Sequence, residues 1–262
     1  MSRLFFGLEI AAPWEEIEEN GRIIKEESRH MTIAFLGDVD FSYFAPFLGT
    51  VPLPSFQLGL VGICDHLLFL PEKRSRVVAG HVTWLSKSDA FLEFYAEFLL
   101  WLEGLKIKVD KREFLPHITF ARRPFDKEKW EKGFQPLPLF TTAFVLYQSD
   151  GNLTYTPLWR FPFKHPFSEI EHTADIAFNI LGARVEEIHL HAAVALAFKF
   201  PPMIQLLENH RYLQQLDDVI IDLNHLIHQA DAKWGCPFKA VSFHGNIIQR
   251  EGLLTWEMII DV

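Results

Sequence analysis

The feature that most constrains this fold is a series of short apolar runs, rich in aromatic and β-branched residues and each ended by charged or turn-forming residues. They fall at Leu4–Glu9, Met31–Leu36, Phe56–Val61, Val77–Leu85, Lys106–Val109, Ile118–Ala121 and Ala143–Gln148. Runs of this length and composition read as β-strands. Two segments between them carry helical signals. Pro13–Lys25 opens on a proline and bears acidic residues in an amphipathic pattern, and Ser88–Glu103 opens on a Ser/Asp cap with apolar residues at helical spacing. Several strands with few helices predict an α+β fold.

From Tyr155 to Pro166 the chain is rich in proline and aromatic residues, which is poor helix material and predicts a junction near residue 166. The reading is therefore two units, 1–165 and 166–262. Beyond the junction the pattern gives a strand at Asp175–Leu181, helices at Val185–Phe200 and Asp217–Ala230, and strands at Phe238–His244 and Leu254–Asp261. About one hundred residues suffice for a compact domain. No solenoid-period repeat or low-complexity tract is present.

Composition narrows the function classes. At 49% hydrophobic residues over 262 positions, the chain can bury an ordered core. Cys64 and Cys236 lie far apart with no CxxC spacing, which argues against a disulfide framework or a zinc ribbon and fits a reducing cytoplasm. The N-terminal apolar run meets acidic residues within it and lacks a small-residue cleavage site, so it reads as a strand and not as a signal peptide. No run approaches the roughly 18 apolar residues that span a bilayer, and a soluble protein without a membrane partner is expected. The net charge of -9 is unevenly placed: residues 1–165 hold 19 Lys and Arg against 21 Asp and Glu, and residues 166–262 hold 6 against 13. In the first unit Lys73, Arg74 and Arg76, then Lys106, Lys108, Lys111 and Arg112, then Arg122 and Arg123 form basic clusters. Such clusters can meet a phosphate backbone, or can be ordinary solvated surface.

Within the strand-like runs one motif repeats. HMTIAF at 30–35 and HITFAR at 117–122 share His, an apolar residue, Thr, a second apolar residue and Ala in the same order. On a strand, residues two apart face the same side, so His30 projects with Thr32 and His117 with Thr119. If the two strands lie together, two imidazoles and two hydroxyls converge. That set suits the opening of a cyclic phosphodiester: one neutral histidine takes a proton from water and one protonated histidine gives a proton to the leaving oxygen. The hydroxyls, the imidazolium and an arginine, for which Arg122 is the candidate, can stabilise the phosphate charge without a metal. The motif alone is weak, because chance supplies roughly half a match in a chain of this composition and a third copy, His81-Val82-Thr83, lacks the closing alanine. His81 reads as a partly exposed strand histidine outside the site.

Context strengthens the reading. RLFFGLEI, HMTIAFLGDV, FLPHITFARR, AFVLYQSD and YTPLWRFPF occur in this order over residues 1–163, and together they resemble the two-histidine phosphoesterases, specifically the RNA 2',3'-cyclic phosphodiesterase group also called 2'-5' RNA ligase-like. The resemblance implies a bilobal α+β fold whose halves each contribute one His-x-Thr to a central cleft, and hydrolysis of a 2',3'-cyclic phosphate to a 2'-phosphate with no cofactor. It implies His30 as general acid and His117 as general base, with Thr32, Thr119 and Arg122 holding the phosphate.

The second unit shows SEIEHTADIAF, HAAVALAF, DDVIIDLNHLI, PFKAVSFHG and MIIDV. This series resembles archease, a small α/β sandwich protein that assists a GTP-dependent RNA ligase, in a shortened form lacking the family's central segment. The resemblance implies Asp175 and Asp261 as ligands of a divalent ion, Ca²⁺, Mg²⁺ or Mn²⁺, which such oxygen donors suit. Lys239 matches a further motif position. His189, His191, His225 and His228 come with no complete zinc ligand set and read as helix histidines. Two other function classes stand beside the enzyme: a non-catalytic protein that binds RNA ends and docks on a ligase, and a metal-dependent hydrolase centred on Asp175 and Asp261. ATP-driven ligation lacks its GxxxxGK[ST] phosphate loop.

Overall fold

The structure, a computed structural model, describes residues 2–14, 21–86, 89–110, 112–173, 175–207, 213 and 215–262. Eight strands build the first sheet: β1 (Ser2–Ala11), β2 (Arg22–Ile23), β3 (His30–Val39), β4 (Val61–Leu70), β5 (Val77–Trp84), β6 (His117–Arg122), β7 (Leu137–Gly151) and β8 (Thr154–Pro162). Their order is β1-β3-β6-β5-β4-β7-β8, with β2 on β6, and β1 also pairs with β7, so six strands close on themselves. β8 and β2 stay outside this ring, each paired to one strand. Two curved halves result, β8-β7-β1-β3 and β4-β5-β6-β2, joined on one side at the single pair Met31↔Ile118.

Side-chain alternation explains the layers. On β1, Leu4, Phe6 and Leu8 face the main core, while Phe5 faces the other side with Ala143, Val145 and Tyr147. Helix α1 (Phe41–Phe44) is one short turn capped by Asp40. Helix α2 (Asp89–Gly104) buries Phe91, Phe94, Phe98 and Leu102 at helical spacing. Its Phe98 ring lies 5.0 Å from Phe6 and 5.2 Å from Phe144. Helix α3 (Lys127–Gly133) starts at Asp126, whose carboxylate accepts from the amides of Glu128 and Lys129. It stacks Trp130 on Phe120 of β6.

The second sheet comprises β9 (Phe167–Ile170), β10 (Ile176–Gly182), β11 (Ala240–Val241), β12 (Ile248–Arg250) and β13 (Leu253–Asp261), ordered β11-β13-β10-β9 with β12 on β13. Helices α4 (Val185–Lys199) and α5 (Leu216–Trp234) complete it. The described pairings between strands are antiparallel in both sheets, so the second unit is α+β in pairing where the resemblance implied α/β. Residues Ile188 to Ala197 of α4 are buried all round, because this helix is sandwiched between its own sheet and β7 of the first. Phe140 of β7 packs against Phe167 and Phe198 at 5.0 and 5.3 Å, giving the two units a shared core.

Several expectations shift. The strand expected at Phe56–Val61 begins only at Val61. Before it, Gly59 passes so close to β7 that an added Cβ would sit 1.9 Å from the Thr141 carbonyl oxygen, and the Thr141 hydroxyl accepts from the Leu60 amide. Lys106–Val109 is not a strand but irregular chain after α2, which ends at Gly104, with Lys106 at φ 61°. The stretch taken as a junction, from Tyr155, is largely β8, an outer strand that tolerates Pro157 and Pro162. Of the helix expected at Pro13–Lys25, residues 15–20 lie outside the described residues, Pro13 and Trp14 are irregular, and Arg22–Ile23 is strand. The strand at Phe238–His244 contracts to Ala240–Val241.

Candidate active site

The pair Met31↔Ile118 decides the geometry. In an antiparallel ladder, stepping one residue either way places His30 across from Thr119 and Thr32 across from His117. Met31 and Ile118 are fully buried beneath the sheet, so the four side chains share the opposite face. Directly opposed Cβ atoms lie about 5 Å apart. The two His-x-Thr motifs thus form one box with the imidazoles on one diagonal and the hydroxyls on the other. Thr32 and Thr119 make no side-chain hydrogen bond among the described residues, which leaves their hydroxyls available to a ligand.

Each imidazole is oriented the same way. His30 Nδ1 lies 2.8 Å from the Ser28 carbonyl oxygen, and His117 Nδ1 lies 2.8 Å from the Leu115 carbonyl oxygen. A carbonyl only accepts, so Nδ1 carries the hydrogen and Nε2 is the atom left to exchange protons in the cleft.

Their surroundings differ. His30 packs among Phe5, Tyr147 and Tyr155 with ring centroids 4.8, 5.2 and 4.8 Å away. Gly7 makes room for it: a Cβ there would stand 2.9 Å from the Met31 carbonyl oxygen and 3.4 Å from His30 Cδ2. Burial pushes the His30 imidazole down to about 4, with the nearby His117 and Arg122 adding to the shift and the bond to Ser28 opposing it. In the free protein His30 is therefore neutral at pH 7. Preceding it, Arg29 is buried, donates to the Ile24 carbonyl and lies 4.7 Å over the Trp14 ring.

Beside the box runs a cleft of about 1280 Å³ lined in part by Thr32, Arg76, Lys108, Arg112, His117 and Arg122. The three basic clusters of the sequence each send residues here, while Lys111 lies outside the described residues. Arg112 is paired with Asp110. Arg76 and Arg122 line the cleft and have no carboxylate partner among the described residues, a setting in which a guanidinium can meet an anion. Tyr95, Phe114 and Phe35 supply an apolar wall.

The sequence offered Arg76 only as one of a basic cluster and gave no sign of the aromatic cage of His30. Motif reasoning set aside His81, which is indeed a partly exposed strand histidine, yet the register His81↔His117 makes it the cross-strand neighbour of a box histidine. Of the second unit's residues, Asp175 directly precedes β10 and Asp261 ends β13, and the pair Ile176↔Ile260 puts both at one end of the sheet. Asp175 Oδ2 lies 3.6 Å from His172 Nδ1, and Asp261 accepts from the Ser242 hydroxyl. Lys239 donates to the carbonyl of Val262. His189 pairs with Asp222, His191 bonds the Leu181 carbonyl, and His225 bonds Gln229, so these helix histidines have structural partners. Among the described residues no helix is long and apolar enough to cross a membrane.

No family model matches the chain. In sequence it is similar to an RNA 2',3'-cyclic phosphodiesterase of Thermotoga maritima, 29% identical over 146 residues, covering 51% of this chain and 71% of that protein. A second similar protein, an RNA 2',3'-cyclic phosphodiesterase of Geobacillus stearothermophilus, is 31% identical over 153 residues, covering 51% of this chain and 44% of the relative. Among solved structures, E. coli LigT complexed with 3'-AMP superposes with a TM-score of 0.46 at 23% identity over 62% of this chain and 98% of that one. A structure described as a phosphoesterase gives 0.47 at 23% identity with the same coverage.

Proposed function

We propose that the first unit hydrolyses 2',3'-cyclic phosphates at RNA ends to 2'-phosphates. The observation that carries this reading is the cross-strand box of His30, Thr119, Thr32 and His117 beside a cleft bearing Arg76 and Arg122. The named relatives support it. The phosphate sits among the two hydroxyls and the guanidinium of Arg122, which stabilise the charge on its oxygens in the transition state. His117 Nε2 takes a proton from the attacking water as its oxygen bonds to phosphorus. The bond from phosphorus to O3' breaks, and His30 Nε2 delivers a proton to O3', leaving a 3'-hydroxyl and a 2'-phosphate. The hydroxyls and cations carry the charge, so no metal enters the scheme.

A neutral His30 serves as acid only after it gains a proton, and the anionic phosphate supplies the attraction that raises its pKa against burial. Saturating inorganic phosphate is accordingly expected to move the NMR titration midpoint of the His30 ring upward from about 4. An unmoved midpoint contradicts the acid role. Turnover of a short RNA with a 2',3'-cyclic end in excess chelator tests the reading as a whole. Binding of that RNA without turnover would favour the non-catalytic alternative, a protein that holds RNA ends and docks on a ligase.

For residues 166–262 we propose an archease-like unit that assists a GTP-dependent RNA ligase and holds a divalent ion at Asp175 and Asp261. The motif series and the placement of both carboxylates at one sheet end support it. Stimulation of such a ligase by the wild-type chain, lost in the Asp261→Asn variant, is the corresponding test.

A further inference from the structure

Beside the box, on β4 and β5, lies a second constellation of donors. The pairs Cys64↔Val82 and His66↔His81 leave Asp65 as an extra residue on β4, a bulge that re-aims a side chain. Asp65 Oδ1 lies 2.9 Å from His66 Nδ1 and 2.8 Å from His81 Nδ1. Thr83 donates to the other oxygen, Oδ2, at 2.8 Å. The two imidazoles stack with centroids 4.5 Å apart and planes at 29°. One oxygen and two nitrogens from three residues therefore converge, all within 4.8 Å of one another, and they are the one such group of three or more among the described residues.

We infer that Asp65, His66 and His81 form a binding site for one divalent transition-metal ion. Two imidazoles and one carboxylate are the donor set of Zn²⁺, Co²⁺ or Ni²⁺ and not of Ca²⁺ or Mg²⁺, which take oxygen ligands. A tetrahedral ion about 2.0–2.1 Å from each ligand separates its donors by roughly 3.3 Å, so the two contacts of Asp65 Oδ1 need to open by only about half an ångström. In the bound form each ring offers the Nδ1 lone pair to the ion and carries its hydrogen on Nε2. Thr83, holding Oδ2, fixes the carboxylate to present Oδ1 alone, the outer-shell support that metal sites use. The side chains of His66, Asp65 and His81 are 55%, 33% and 23% exposed, so an ion can enter and keeps a position open to solvent. His81 is the cross-strand neighbour of His117, which places the ion one strand from the phosphate box.

The test is Co²⁺ titration of the full chain, followed by visible absorption and by the ring NMR signals of His66 and His81. One ion bound at these three residues is expected, with the rings of His66 and His81 shifting first. His66→Ala, at an exposed position, removes a ligand and is expected to weaken binding more than about 10-fold, and Thr83→Val about 10-fold with recovery in Thr83→Ser. Asp175→Asn with Asp261→Asn is expected to leave it unchanged. No uptake, or uptake indifferent to His66→Ala and His81→Ala, overturns the inference, whether or not the chain turns over RNA.

Discussion

Replacing His117 by alanine is expected to lower turnover of a 2',3'-cyclic-ended RNA by about 10²- to 10⁴-fold, the usual contribution of a positioned general acid or base. The same loss is expected for His30→Ala. In the proposed scheme both imidazoles act on one phosphate and neither works alone, so the double variant should fall little below the weaker single one. The phosphate is held by other groups, and the loss should therefore appear in kcat. Removing those groups has a different signature: Arg122→Ala and Thr32→Ala are expected to lower kcat and to raise KM as well. His117 opens its strand and among the described residues its side chain bonds only a local carbonyl, so His117→Ala should unfold at nearly the wild-type midpoint at pH 7, which separates lost chemistry from lost folding. Full activity in either single variant contradicts the scheme.

The second large effect concerns acid. An unfolded histidine titrates near 6.5, whereas burial among Phe5, Tyr147 and Tyr155 holds His30 at about 4 in the fold. The unfolded state thus binds the proton more readily. The stability that this difference contributes is fully present above about pH 6.5 and is lost as pH falls toward 4, by about 3 kcal/mol in all. Other groups also respond to acid, buried His191 in the same direction, so the measurement is a comparison. Urea unfolding at pH 7 and at pH 4 should show a loss for wild type that exceeds the loss for His30→Gln by about 2–3 kcal/mol. Equal losses would mean that the aromatic cage does not desolvate this ring.

How much of this was legible before the structure depended on whether a feature is local. The strands carrying His30 and His117 were readable because apolar alternation and the echo of His-x-Thr lie within six residues. That His30 opposes Thr119, and not His117, was not readable, since register is set by hydrogen bonds between segments 87 positions apart. The cage around His30 draws on β1, β7 and β8, and β8 itself was hidden by prolines that an outer strand accepts. The strand Val61–Leu70 was missed for a different reason: Asp65 sits at a bulge and breaks the alternation that identifies strands. That same bulge builds the Asp65, His66 and His81 cluster, so the irregularity that obscured the strand is what creates the candidate metal site. Arg76, Arg112 and Arg122 were visible as charge, but their convergence on one cleft came only with the sheet order.

The central claim, that the His/Thr box opens a cyclic phosphate with water, is tested most directly by hydrolysing a 2',3'-cyclic-ended RNA in ¹⁸O-water with excess chelator and following the product by ³¹P NMR. The account predicts a 2'-phosphate carrying one ¹⁸O and a free 3'-hydroxyl. A 3'-phosphate product, or RNA that binds and stays cyclic, would contradict it.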